Sequence, residues 1–502
     1  MGGMRMTGLI SGMDTESMVK ELVKANSKKV DKVKQDKQKL EWKKEAWQGL
    51  NTEIYNFFKG SLAGLKTNGS FQSKSAKPND ETKVSVNASA SAANGTHTVS
   101  VKQLASSAYL TGGVIDGEKS GTTKLTDLHI AEGTVFSVNG KDIAVTADMT
   151  LSDLAKEFSS RGVSANYDQN RGRFYVNASD TGADNDFTIT SSDAVALEKL
   201  GLGSTAKKVD AQDAIIEYNG VEYRGATNTF DINGLSITAK SVTGKYDKET
   251  GEFTGDAPIN ITVSSDTDSM YDTIKKFVKD YNALIDKMNT YYNEDSEGYD
   301  PLTDDERNQL SDDQIEKWEE KAKKGLLRRD STIGSLTQKM RDILNRGVEV
   351  TDKDGNTTTV TLASLGIVTG DRTERGKLHI LGDEDDETYA GQTNKLKEAL
   401  SKNPEIFSQA FAGTKDKPGL GVQVYDYLNT AMKRSTTSSA LTFYNDITMK
   451  EDIDDKKEEI DKWEEKLQKM EDKYYDQFAK MEAAMAKLQE QQSYISQLMG
   501  MG

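Results

Sequence analysis

Two long polar runs, one at each end of the chain, constrain this sequence more than any other feature. From Asp14 to about Leu65 the chain is rich in Lys, Gln and Glu and holds no proline, which predicts one long helix. Asp14 or Thr15 can cap its start, with Glu16 and Glu21 near the positive end of its dipole. Val19, Val23, Val30, Val33, Leu40 and Trp47 keep a coiled-coil-like spacing if Asn26, Lys37 and Lys44 take seam positions, and Leu50, Ile54 and Phe57 resume it after a short skip. Such a helix would be roughly 75 Å long at 1.5 Å per residue. A lone helix of that length and polarity needs a partner.

The C-terminal run, from about Asp446 to Gln497, offers one. Ile453, Ile460, Trp463, Leu467, Met470 and Tyr474 follow an a/d rhythm with Lys456 as the one polar intruder, and Phe478, Met481, Met485, Leu488, Ile495 and Met499 continue it. The step from Tyr474 to Phe478 is a stutter, which locally unwinds a coiled coil without ending it. Lys20, Lys24, Lys28, Lys29, Lys32, Lys34, Lys37 and Lys39 make the first run basic, whereas Glu451, Asp452, Asp454, Asp455, Glu458, Glu459, Asp461, Glu464 and Glu465 make the second acidic. Opposite charges beside apolar seams favour pairing of the two ends, within one subunit or between neighbours. The alternative is that both runs are solvated helix faces.

Between the ends the pattern changes. From about Pro78 to Ser265, short alternating runs such as Lys83–Asn87, Thr98–Lys102, Thr134–Val138 and Arg173–Asn177 are separated by Gly, Asn and Asp. Asn139-Gly140, Asn219-Gly220 and Asn233-Gly234 are hairpin signals, because that dipeptide accepts the positive φ of a tight turn. Only Thr150–Arg161 reads as a helix there, with Leu151, Leu154, Ala155 and Phe158 on one face. The composition predicts two compact antiparallel modules, split near Gly113–Gly121 and Gly203–Asp210. From Thr267 the helical period returns, with Ile274, Phe277, Tyr281, Leu284 and Met288 on one face. Short helices over Ser311–Lys323, Thr332–Leu344 and Leu396–Ser401 follow, and a hairpin of Val348–Val350 with Thr358–Leu362 turns at Asp354-Gly355.

The predicted fold class is therefore α+β multidomain: long coiled-coil-like terminal α-helices and a helical core domain, with inserted antiparallel β-rich head domains. The expected divisions are an N-terminal leg (1–40), a mainly helical core (41–77 with 266–445), an inner β-rich module (78–115 with 207–265), an outer one (116–206) and a C-terminal leg (446–502).

Composition removes several function classes. At 502 residues the chain exceeds one ordinary core. Its net charge of −16 argues against binding nucleic acid or an anionic lipid surface. The absence of cysteine excludes disulfides, thiolate metal sites and cysteine nucleophiles. Met1 to Glu16 shows no basic stretch followed by an apolar one, so no cleaved signal peptide is expected, and no run is long enough to insert in a membrane. His97, His129 and His379 are isolated, with no ligand-spaced carboxylate or second His beside them, and are expected to fill surface or core positions. Asp352-x-Asp354-Gly355 lacks the rest of a calcium loop and reads as a turn. No nucleophile elbow, P-loop or dinucleotide motif occurs, so no catalytic residue, cofactor or metal is expected.

Specific motifs point to a family. Thr7-Gly8-Leu9-Ile10-Ser11-Gly12-Met13-Asp14-Thr15-Glu16-Ser17 resembles the N-terminal signature of the flagellar hook-associated protein 2 family, as does Leu40-Glu41-Trp42-Lys43-Lys44-Glu45-Ala46. The run from Glu471 to Tyr494 is similar to that family's terminal helix. Gly325-Leu326-Leu327-Arg328-Arg329-Asp330 and Leu365-Gly366-Ile367 resemble its core motifs, and Asn228-Thr229-Phe230 with Gly234-Leu235 a small β repeat. The resemblance implies a secreted, non-enzymatic cap at the tip of the bacterial flagellar filament. Copies of the chain would form a ring that retains exported flagellin and promotes its insertion, with a plate of inserted domains and terminal helices as legs. It implies export by the flagellar type III apparatus, and as partners flagellin, the hook–filament junction protein and a flagellar export chaperone. The residues expected to contact other subunits or the filament are Leu9, Val19, Val23, Val30, Val33, Leu40, Ile460, Trp463, Leu467, Met470, Tyr474, Phe478, Met481, Met485 and Leu488. A different reading is a surface adhesin whose β modules bind glycan or mucin. An exposed cap can serve both roles.

Overall fold

The computed structural model describes residues 12, 14–117, 119–247, 249–352, 354–498 and 500. The chain separates into a helical unit, up to Phe71 and from Thr267 onward, and a β-rich unit, Gln72–Asp266. No helix among the described residues is long and apolar enough to cross a membrane.

In the helical unit the N-terminal helix spans Thr15–Lys59. Asp14 caps it: its carboxylate accepts from the Ser17 backbone N–H at 3.0 Å and the Ser17 hydroxyl at 2.6 Å. The helix ends at Gly60, where a Cβ would stand 2.8 Å from the Asn56 carbonyl oxygen, and a short helix, Ser61–Leu65, follows. The helix has two characters. Trp47, Leu50, Ile54, Phe57 and Phe58 are buried in the main core, against Ile274, Phe277, Tyr281, Leu284 and Met288 from helix Thr267–Asn293. All five positions read as one face of that helix are buried. Phe57 meets Phe277 with ring centroids 5.8 Å apart, and Phe58 stacks on Tyr425 at 4.3 Å.

Helix Ser331–Leu344 and the hairpin Val348–Thr351/Thr357–Val360 match expectation. Asp352 accepts the Asp354 and Asn356 N–H groups, both at 2.9 Å, and so closes a turn. Helix Leu420–Ala431 and the strand pair Ile367–Thr369/Leu378–Ile380 were not foreseen. The Gly419-Leu420-Gly421 start, with Val and Tyr following, has low helix propensity. Burial of Leu420, Val424 and Leu428 on one stripe outweighs it.

The β-rich unit holds two separate hydrophobic clusters. One lies between a five-stranded antiparallel sheet and a three-stranded one. The larger sheet runs Lys74–Pro78, Ile259–Ser265, Gly95–Gln103, Ala214–Tyr218, Val221–Gly225, and the smaller Thr229–Ile232, Leu235–Ala239, Val84–Ala88. Val84, Val99, Val101, Ile216, Ile237 and Ile261 fill that cluster. The second gathers Phe136, Leu154, Phe158 and Phe174 under helix Leu151–Ser160, which starts on a Thr150–Asp153 capping box. The three Asn-Gly pairs read as hairpin signals, Asn139-Gly140, Asn219-Gly220 and Asn233-Gly234, are hairpin turns with positive φ at both residues, for example Asn139 at 50° and Gly140 at 78°.

Three expectations are corrected here. The β-rich unit starts at Gln72 rather than Pro78, because Lys74–Pro78 pairs with Ile259–Ser265; its Lys-Ser-Ala-Lys-Pro sequence has no strand pattern, and only the neighbour makes it one. The outer module is wider than 116–206: Tyr109–Thr111 pairs with both Arg173–Ala178 and Lys207–Val209, and Ala108 and Ala211 pack on its cluster. A second helix, Ala194–Lys199, follows the Asp193 cap; at six residues it is too short for periodicity to reveal.

Candidate assembly interface

The two terminal helices, Thr15–Lys59 and Asp446–Leu498, pair with each other within one chain. The C-terminal helix runs unbroken through the Tyr474–Phe478 stutter. The seam is thin. Val30, Val33 and Ile460 form a small buried cluster, with Trp463 and Leu467 packed against it. At roughly 2 kcal/mol for each fully buried aliphatic side chain, this offsets little of the entropy of ordering two long helices. Lys29 lies over the Trp463 ring at 5.2 Å and Lys466 at 4.3 Å, so cation–π contacts supplement the seam.

The predicted contact residues do not share one environment. Val19 is buried, Val23 and Leu40 half-buried, and Met470, Tyr474, Phe478, Met481 and Met485 half-buried along the C-terminal helix. Leu488 is 63% exposed, as are Tyr494 at 65% and Ile495 at 54%, so the apolar face is bare at the helix end. Leu9, like the seam position Met499, lies outside the described residues. Among the polar seam residues, Asn26 donates to the Leu22 carbonyl oxygen at 3.3 Å, Lys37 pairs with Glu41 at 2.7 Å and Lys456 with Glu459 at 2.8 Å. Each therefore satisfies its polar group along its own helix.

Sequence reasoning missed a third component, the loop after helix Thr267–Asn293. Gln35 donates to the Pro301 carbonyl oxygen at 2.7 Å, Asp300 accepts from Lys39 and lies 3.5 Å from Lys32, and Asp304 meets Lys34 at 3.1 Å. Lys34 also reaches Glu464 on the C-terminal helix at 3.0 Å. The contacts of Lys32, Lys34 and Lys39 therefore go largely to this strap. Its Asp300 and Asp304 were the available signal.

The strap sets opposing pH dependences. The Lys39 hydrogen bond holds the Asp300 carboxyl below its usual range. A depressed carboxyl contributes stability that is present above about pH 3.9 and is lost as pH falls through its lower folded value. Hydrogen bonding to Glu464, the largest of several favourable contacts, raises Lys34, so its contribution is lost only as pH rises through that raised value. Asp31 is pushed up, first by burial and then by Asp305 and Asp304, against the opposing pull of Lys34; its ionisation weakens the contact. Asp31→Asn is therefore expected to strengthen the leg pairing and Lys34→Ala to weaken it, each by up to about 1 kcal/mol. Salt should diminish both effects. Amide exchange across residues 15–40 is the readout, and changes of equal sign in the two variants would contradict the strap assignment.

His379 departs from the isolated ring expected. The chain folds back around it, so that Nδ1 lies 2.6 Å from Asp386 and Nε2 3.1 Å from Glu374, with the ring 4.7 Å from Tyr389. These partners are five and seven positions away, a spacing no ligand motif uses. Among the described residues no group of three or more His, Cys, Asp or Glu side chains is placed to hold a metal.

Comparison with known proteins places this interface in context. Residues 11–108 match the family model described as the flagellar hook-associated protein 2 N-terminus, and residues 211–490 match that of its C-terminus. The chain belongs to the flagellar hook-associated protein 2 family. Flagellar hook-associated protein 2 of Halalkalibacterium halodurans is 26% identical over 499 residues, covering 89% of this chain and 88% of that relative. The A-type flagellar hook-associated protein 2 of Pseudomonas aeruginosa is 30% identical over 245 residues, covering 43% and 48%. The crystal structure of the D1-D2-D3 domains of the flagellar cap protein FliD from Escherichia coli shares the fold, with a TM-score of 0.54 at 22% identity over 82% of this chain and 99% of that one. Within the family frame, the seam cluster of Val30, Val33 and Ile460 falls inside the two matched segments. The stretch between the two matches, 109–210, holds most of the outer β module.

Proposed function

We propose that this chain is a subunit of the homo-oligomeric cap at the distal end of the bacterial flagellar filament, where it retains exported flagellin and promotes its folding and insertion. The role is mechanical, and no chemical step is assigned to it. One observation carries the reading beyond family membership: the terminal helices are long, joined by a thin seam, and end with Leu488, Tyr494 and Ile495 in solvent. A leg that releases one filament position and engages the next needs contacts of this weak, adjustable kind, and an exposed apolar face needs a protein surface to cover it.

In this reading the two ends act as legs, the helical core anchors them, and the two β modules form the plate. Export through the flagellar apparatus, docking to the hook–filament junction protein and escort by an export chaperone belong to the same proposal. The test is genetic. Deleting Asp446–Gly502 should abolish filament growth and release monomeric flagellin into the medium, with full-length chain restoring filaments. Normal filaments in the deletion strain would refute the assignment.

A further inference from the structure

We infer that a cleft in the helical unit, ringed by three arginines, is a receptor for carboxylate side chains, and that the acidic stripe Glu451/Asp454/Asp455 of a second copy of this chain occupies it. The cleft, of about 540 Å³, lies between the end of helix Thr267–Asn293, helix Ser331–Leu344 and the loop 369–376. Arg341, Arg372 and Arg375 line it. Among the described residues their guanidinium groups have no hydrogen-bond or ion-pair partner, and the Arg341 Nε is buried with none.

In an acidic chain this is unusual, and the nearby carboxylates explain it by being committed elsewhere. Asp371 accepts from the Thr373 N–H at 2.7 Å and the Glu374 N–H at 3.2 Å. Glu374 faces His379 and the Asp371 N–H, both at 3.1 Å, and Asp342 accepts from Gln338 at 2.7 Å. Gly376 fixes the geometry: at φ 97° a Cβ there would meet the Arg341 Nε at 2.5 Å. Guanidinium forks match carboxylates in a bidentate manner, and an unpaired buried donor gains most from such a partner.

The complementary group is on the same chain. Glu451, Asp454 and Asp455 lie at i, i+3 and i+4 on the C-terminal helix, are exposed, and form no ion pair among the described residues. That spacing puts all three on one face. A surface on one copy that fits a different surface on the next makes a head-to-tail contact, the type that closes rings.

The inference rests on the homo-oligomeric reading, and the experiment separates the two. Sedimentation of the full chain at low salt would compare wild type with Arg372→Glu/Arg375→Glu and with Asp454→Lys/Asp455→Lys. All four positions are exposed, so the variants should fold, and unchanged thermal melts would confirm it. Each variant alone should self-associate roughly tenfold more weakly or worse, while an equal mixture of the two should regain association, since each then offers the charge the other needs. Reversed variants that assemble like wild type would overturn the arginine cleft as an interface and leave the cap reading standing. A wild-type chain that stays monomeric at every concentration would remove both.

Discussion

Replacing Trp47 with alanine is expected to destabilise the helical unit by about 4 kcal/mol, the range for deleting a large buried aromatic. Trp47 is 1% exposed, and it joins three parts of the unit. Its ring stacks on Tyr444 with centroids 5.4 Å apart, just before the C-terminal helix begins. Its indole N–H donates to Asp330 at 3.3 Å, and Asp330 in turn caps helix Ser331–Leu344 by accepting from the Thr332 and Ile333 N–H groups. Alanine removes the packing, the stacking and the donor together. Trp47→Phe keeps most of the apolar volume and should cost much less, about 1–2 kcal/mol, so the pair separates packing from the hydrogen bond. Urea unfolding followed by far-UV circular dichroism measures both, and an alanine variant within 1 kcal/mol of wild type would show that the core does not run through this position.

The second large effect is local. Ile460→Asp places a carboxylate in the seam cluster beside Val30 and Val33, where burial of an unpaired charge is costly enough to open the contact rather than be tolerated. Because this cluster has only three buried members among the described residues, what remains across the pair once it opens includes exposed contacts such as the Lys34–Glu464 ion pair and the Lys29–Trp463 contact, which hold the legs weakly. Hydrogen exchange should then show residues 15–40 losing nearly all protection while residues 47–58, packed in the main core, keep theirs. Equal loss in both stretches would mean that the N-terminal helix is one cooperative element, and the division into leg and core would fail. The contrast follows from local stability, which tracks buried apolar contact along a helix rather than the helix's continuity.

How much of this was readable beforehand differs from element to element. The face Ile274, Phe277, Tyr281, Leu284 and Met288 is buried as its spacing required, because a 3.6 period leaves one way to bury five apolar residues. The Asn-Gly turns likewise formed where they stood, since their backbone preference is local. Lys74–Pro78 is the opposite case: its strand state is imposed by Ile259–Ser265, a partner far away in the sequence. Helix Leu420–Ala431 belongs with it, since core burial outweighed a weak local preference.

The candidate interface shows the same division. Sequence alone determined that both ends are long polar helices with complementary charge and thin apolar seams, because heptad spacing and charge sign are properties of the chain itself. Tertiary structure alone decided that the lysines of the first helix turn to the Asp300–Asp304 strap as well as to the second helix, that His379 sits between two carboxylates, and that three arginines share a cleft with no ion-pair partner among the described residues. Those arrangements depend on where loops return, and loop paths are set by long-range packing that no local period encodes.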